Sequence, residues 1–273
     1  MDREIDKNVV QIDFECSVCK KNNVEALRIP IMRVVEKLNS YFEKNDLVNA
    51  ERHLEYWLKE AVMIKDNHGE LSVINELLGL YRKINAKEKG LLAVKRAQEL
   101  LEITDAKGTL SGGTIMINMA TTSKAFDDLQ LAKNLYEKAY EIYKNHLEED
   151  DDRFAPLYNN YATTLVDLKD YDKASDFYER AIALTNKKGQ TLLDCAITYV
   201  NLAHLYSEEK GLDCEKIYDC LDKAEALIRD ERVKRDGYYA FVCSKCAPSF
   251  DYFGYFALAE ELNRIAKEIY ERP

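Results

Sequence analysis

The chain has 273 residues, 47% of them hydrophobic, with only ten glycines and four prolines, so it can bury a large core without a metal or disulfide staple and reads as mostly helical. Its formal charge of -10, with Lys and Arg scattered rather than gathered into a basic tract, argues against nucleic acid as a partner and favours a protein or peptide. No signal-type apolar segment opens it and no run of about 18 apolar residues occurs, so no membrane association is expected, a cytoplasmic location is, and the seven cysteines are expected as free thiols.

Residues 1–29 read as an N-terminal arm that carries Cys16 and Cys19 in FECSVCK. From residue 30 to 273 one all-α domain of about six antiparallel helix pairs is expected, spanning 30–66, 70–106, 113–147, 155–188, 196–230 and 238–272. Pro30 and Pro156 suit helix starts, where a missing N–H costs nothing. In the first pair Asn45-Asp46 makes the turn to a helix bearing Ala50 and Leu54. The second pair places Ile74, Leu77 and Tyr81 before Gly90, Val94 and Ala97. KGTLSGGT, Lys107 to Thr114, lacks the G-K-[ST] ending of a phosphate loop and reads as a turn between pairs. Met116, Met119 and Ala120 then precede Ala132, Tyr136 and Ala139, and the acidic EEDDD at 148–152 reads as a solvated loop. The fourth pair carries Tyr158, Tyr161, Ala162 and Leu165, a turn at Lys169-Asp170, then Ala174, Tyr178 and Ala181. After a turn at Lys188-Gly189 come Tyr199, Leu202, Ala203 and Tyr206, followed by Ile217, Leu221 and Ala224. The last pair offers Cys243, Cys246, Ala247 and Phe250, then Ala259, Asn263 and Ala266.

The small site of each second helix falls at 50, 90, 132, 174, 217 and 259, a period close to 42. The pattern in LYNNYATTLVDLKDYDKASDFYERAIAL resembles the tetratricopeptide repeat, whose helix A carries W-x-x-L-G-x-x-Y and helix B A-x-x-x-F-x-x-A. The long period is similar to the arrays of kinesin light chains and of bacterial peptide-sensing regulators. That resemblance implies a right-handed superhelical solenoid whose concave groove is lined by the A helices and binds an extended peptide.

Asn118, Asn160 and Asn201 hold one equivalent helix A position in three consecutive repeats, two residues before the small Ala120, Ala162 and Ala203. An amide is both donor and acceptor, so such a ladder suits the backbone of an extended peptide. The resemblance puts Asn75, Arg82, Thr121, Asn159, Thr163 and His204 on the same face. It also implies that the basic clamp some relatives use for a C-terminal carboxylate is absent. No catalytic constellation and no cofactor motif is present, which points to a non-catalytic scaffold. Two alternatives remain: a metal or redox protein using Cys16, Cys19, Cys243 and Cys246, and a homo-oligomerisation module joined through YYAF and FDYFGYF. In the repeat frame Cys243 and Cys246 take the large core sites of a helix A, which favours buried thiols.

Overall fold

The computed structural model describes residues 27–188 and 192–272. Most of the expected arm, with Cys16 and Cys19, lies outside the described residues, as does Gly189. Twelve α-helices and no strand occur among the described residues: α1 (Ile31–Glu43), α2 (Leu47–Met63), α3 (Asn67–Lys83), α4 (Lys87–Ile103), α5 (Leu110–Ala125), α6 (Leu129–His146), α7 (Phe154–Asp167), α8 (Tyr171–Lys188), α9 (Leu192–Lys210), α10 (Glu215–Ile228), α11 (Gly237–Tyr252) and α12 (Phe256–Tyr270). They form two compact units that divide between Leu147 and Glu148. Each unit holds three antiparallel pairs, an A helix followed by a B helix.

In the first unit α3 packs on α1 and on α5, so the A helices stand in a row, and α2 and α4 each also pack on the A helix that follows. The helices are joined by short reversals of a single kind. Asn45, Lys65, Asn85, Asp105 and Asp127 all take positive φ, from 52° to 71°, just past the ends of α1 to α5. The next N–H then reaches back to the last turn: Asp46 N to Tyr41 O at 2.9 Å, Asp66 N to Ala61 O at 2.9 Å, Ala86 N to Tyr81 O at 2.8 Å, Asp128 N to Ser123 O at 2.8 Å. This satisfies a carbonyl that the helix end would leave bare. At once the same residue starts the next helix: Asp46, Asp66 and Asp128 each cap with a side-chain oxygen.

Close approach is set by small residues. Ala50, Ala97, Ala132 and Ala139 are fully buried, and a Cβ on Gly90 would stand 2.3 Å from the ring of Phe126. Gly112 and Gly113 belong to the first turns of α5 rather than to the turn before it, which is only Lys107–Thr109. A Cβ on Gly112 would meet the Ala106 carbonyl oxygen at 2.0 Å, so glycine is required for α5 to start there. Trp57 is only half-buried and packs edge-on to Tyr56, with ring centroids 5.3 Å apart.

The second unit repeats the plan, with α7 on α9 and α9 on α11. Lys169, Gly211 and Gly254 supply the positive φ after α7, α9 and α11. Its first pair has an aromatic core in which the rings of Tyr158 and Tyr161 lie 5.6 and 4.8 Å from that of Phe177. Ala162, Ala203 and Ala247 are fully buried where helices meet. In α12 Leu262 fills the large site and Asn263 is exposed, a register one residue earlier than the repeat spacing suggests. Pro248 lies within α11 on its exposed side, and the helix continues through it to Tyr252.

A partly buried ion pair ties the two helices of the second pair together. Arg96 of α4 holds the buried Glu70 of α3 in a two-point contact, Nε to Oε1 at 2.7 Å and Nη2 to Oε2 at 3.1 Å. Replacing Arg96 by Leu leaves a buried carboxylate without its cation and should lower the unfolding free energy by about 2–3 kcal/mol. Lys89→Ala removes an exposed pair with Glu51 and Glu55 and should cost less than about 1 kcal/mol. Urea unfolding of both variants checks the contrast.

Candidate functional site

The A helices bring the amides together, but one residue out of the register that the sequence suggests. In the first unit Asn118 Nδ2 of α5 donates to Asn75 Oδ1 of α3 at 2.8 Å. In the second unit Asn201 Nδ2 of α9 donates to Asn159 Oδ1 of α7 at 3.0 Å. The same offset recurs, so a helix A position in one repeat pairs with the position one residue earlier in the repeat before. Asn160 takes part in neither pair, and its carbonyl accepts from Thr164 Oγ1 at 3.2 Å. Each amide pair uses one donor and one acceptor of the two side chains, and the described residues supply no other protein partner for Asn118, Asn159 or Asn201 side chains beyond these. All four paired amides are partly exposed.

Thr121 and Thr163 serve the repeat itself. Thr121 Oγ1 lies 2.9 Å from the Tyr136 hydroxyl, and Tyr178 OH donates to Thr163 Oγ1 at 3.3 Å, so in both units a helix A threonine holds a helix B tyrosine fifteen residues on. Each threonine also donates back to its own helix, to Ile117 O and Asn159 O. Burial pushes the Tyr178 hydroxyl well above the ordinary tyrosine range, which keeps it a neutral donor. Arg82 is half-buried at the last turn of α3, and Asn75 Nδ2 donates to Glu76 Oε1 at 3.2 Å.

His204, on α9 one turn beyond Asn201, is drawn toward the last pair. Its Nε2 lies 2.8 Å from Ser249 Oγ, and its ring stacks on Tyr252 at 5.8 Å and tilts against Phe253 at 4.9 Å. Burial lowers its pKa against a smaller opposing pull from Glu208. These contacts link residues 45 or more positions apart, and the only sequence signal for them is the density of rings in FDYFGYF.

The cysteine pair has a different place. Cys243 and Cys246 are buried in α11, at 0% and 1% exposure, and burial raises both thiols, Cys246 to about 12. Thiols so placed resist forming the thiolate that a metal needs. No cluster of three or more His, Cys, Asp or Glu side chains fit for a metal occurs among the described residues.

Comparisons agree with this architecture. Residues 155–188 match the tetratricopeptide repeat family. The fold is similar to that of BtubC (BKLC) from P. vanneervenii, at 18% identity over 83% of this chain and 90% of that one, with a TM-score of 0.52. It is also similar to a putative kinesin light chain from Podosopora anserina with nearly identical TPR-like repeats, at 15% identity over 73% of this chain and 94% of that one, with a TM-score of 0.54. At these identities the likeness establishes the fold, and the expected all-α array of about six helix pairs is found.

Two measurements follow from the buried groups. In a Cys16→Ser/Cys19→Ser background, a thiol reagent at about pH 7.5 should modify the partly exposed Cys214 in the native protein, and Cys243 and Cys246 only on unfolding. Burial also holds the imidazoles of His204 and His68 below their ordinary 6.5 in the folded state. Their contribution to stability is therefore intact above about 6.5 and is lost as pH falls through the folded-state values. Urea unfolding at about pH 7.5 and about pH 5 should show that decline, and His204→Gln should make it shallower.

Proposed function

We propose, from its standing as a tetratricopeptide-repeat protein, that this chain is a non-catalytic scaffold that holds an extended peptide or partner segment along the face of its A helices. The observation that carries the reading is the pairing of amides on that face. Asn118 with Asn75, and Asn201 with Asn159, each leave a partly exposed donor and acceptor beside a neighbouring helix. A peptide backbone offers N–H and C=O groups in alternation, and a fixed amide meets both. Pairing also pre-orients the side chains, so less rotamer freedom is lost on binding.

In the first unit Asn75 and Asn118 would contact a peptide backbone and Arg82 would select a side chain; in the second unit Asn159, Asn160 and Asn201 would contact the backbone and His204 would select a side chain. Thr121 and Thr163 would shape the floor through their tyrosines. No described helix is long and apolar enough to cross a membrane, and the free thiols of Cys195, Cys214, Cys220, Cys243 and Cys246 support a reducing, cytoplasmic setting.

The test uses an array of nonapeptides probed with wild type and with an Asn118→Ala/Asn160→Ala/Asn201→Ala triple variant, with folding verified by circular dichroism. Peptides captured by wild type should lose at least about tenfold in affinity with the variant, since three half-buried amide contacts of roughly 0.5–1.5 kcal/mol each are removed. Equal capture by the folded variant would sink the reading.

A further inference from the structure

At the end of α11 the second unit exposes aromatic rings that its core does not absorb. Gly254, with φ of 88°, reverses the chain there, and the two residues before it lean across α9 rather than into the packing between α11 and α12. The Tyr252 side chain is 61% exposed and Phe253 is half-buried; their rings meet edge to face at 4.9 Å, with planes 78° apart. Both rest on His204, one turn from the Asn201 amide. The result is a shelf of ring faces at the edge of the A-helix row.

The charge around the shelf is negative. Glu208 lies one turn beyond His204 and Asp251 precedes Tyr252; both are exposed, and neither is in an ion pair among the described residues. Each sits in the last turns of its helix, α9 or α11, where the helix dipole already presents its negative end. Burial lowers the His204 pKa from its ordinary 6.5, so near neutral pH the ring offers little balancing charge. Lys245, on the same helix, is turned to the ring of Phe241, 5.7 Å from its centroid. Residues 148–273 carry 26 Asp and Glu against 17 Lys and Arg, a balance of -9 within the whole chain's -10.

Ring faces attract cations through their quadrupole, and unpaired carboxylates beside them add a direct counter-charge. An acidic ligand would be repelled here. A purely apolar one would desolvate Glu208 and Asp251 with nothing in return. We propose that the Tyr252–Phe253–His204 shelf is a subsite for a cationic side chain, the arginine of a peptide lying along the α7–α9–α11 face, stacked on Tyr252 and paired with Glu208 or Asp251. The proposal rests on the reading of that face as peptide-binding, and names the chemistry of the residue it selects.

The test measures fluorescence anisotropy of the full chain with three labelled Ala-Ser nonapeptides that differ only in a central Arg, Gln or Glu. The Arg peptide should bind at least about fivefold more tightly than the other two, the ratio that a cation on an exposed ring with a counter-charge supports. Tyr252→Leu and Glu208→Gln alter exposed side chains, so both should fold, and each should erase most of that preference. Asn201→Ala should weaken the Arg and Gln peptides alike and leave their ratio unchanged. Equal binding of Arg and Gln peptides, or an Arg preference that survives Tyr252→Leu, overturns the subsite even when Asn201→Ala still weakens binding. Absence of binding by all three peptides removes the peptide-binding reading and the subsite with it.

Discussion

The pairing of helices depends on a reversal in which one residue takes a left-handed backbone and the next N–H returns to the helix just ended. Among the described residues eight positive-φ positions follow helix ends, six of them not glycine, at a backbone cost of about 1 kcal/mol each for an L-residue. At six of them, all but Asp105 and Gly211, the cost is offset because the reversal satisfies a helix-end carbonyl and places the next N-cap at once, with no loop to order. Reversals this short leave the B helix one direction to run, back along the A helix. Ala50, Gly90, Ala132, Ala174 and Ala259 then fall where the two helices touch, and only small residues fit. Removing the reversal would slide every later small site out of register.

Much of this was legible in the sequence because packing repeats. Small sites at a spacing near 42 and large sites between them reflect a contact remade in every pair, and the burial of Leu54, Tyr136, Tyr178 and Leu221 is its outcome. Asn, Asp and Gly at the reversals carry a turn signal, since their side chains tolerate positive φ. Lys65 and Lys169 carry none. There the conformation is imposed by the helices on either side, which a lysine resists only weakly in exposed surroundings. The glycines at 112 and 113 misdirect a reader for a related reason: glycine marks both turns and close contacts, and here the Ala106 carbonyl makes it a contact.

The A-helix face was legible in kind and not in detail. A repeated asparagine shows that one position is kept polar, but the bond it makes joins neighbouring repeats, and the stagger between them moves the partner by one residue. Hence Asn118 meets Asn75 and Asn201 meets Asn159, while Asn160 stands apart. Thr121 and Thr163 look like ligand contacts by position, yet a buried tyrosine hydroxyl needs a partner, and each threonine meets one from the facing helix. The stack of His204 on Tyr252 and Phe253 was out of reach, because no local pattern fixes how far a reversal's rings lean.

Charge at the ends of the A helices differs between the two units in a way that packing does not require. In the first unit the last turns of α3 and α5 carry Arg82, Lys83 and Lys124, cations where the helix dipole welcomes them, and only α1 ends on a carboxylate, Glu43. In the second unit the last turns of α9 and α11 carry Glu208 and Asp251, carboxylates set against that dipole at a cost of roughly 0.3–1 kcal/mol each, while Lys210 at the end of α9 pairs with Glu209. Exposed positions of this kind accept almost any polar residue, so folding alone gives no reason for Glu208 and Asp251 both to stand there. A ligand that brings positive charge to that edge relieves the repulsion, which makes the same residues costly in the free protein and favourable in the bound one. An arrangement of that sort converts local instability into affinity for one sign of charge, and the rings beside Glu208 and Asp251 give that charge a surface on which to rest.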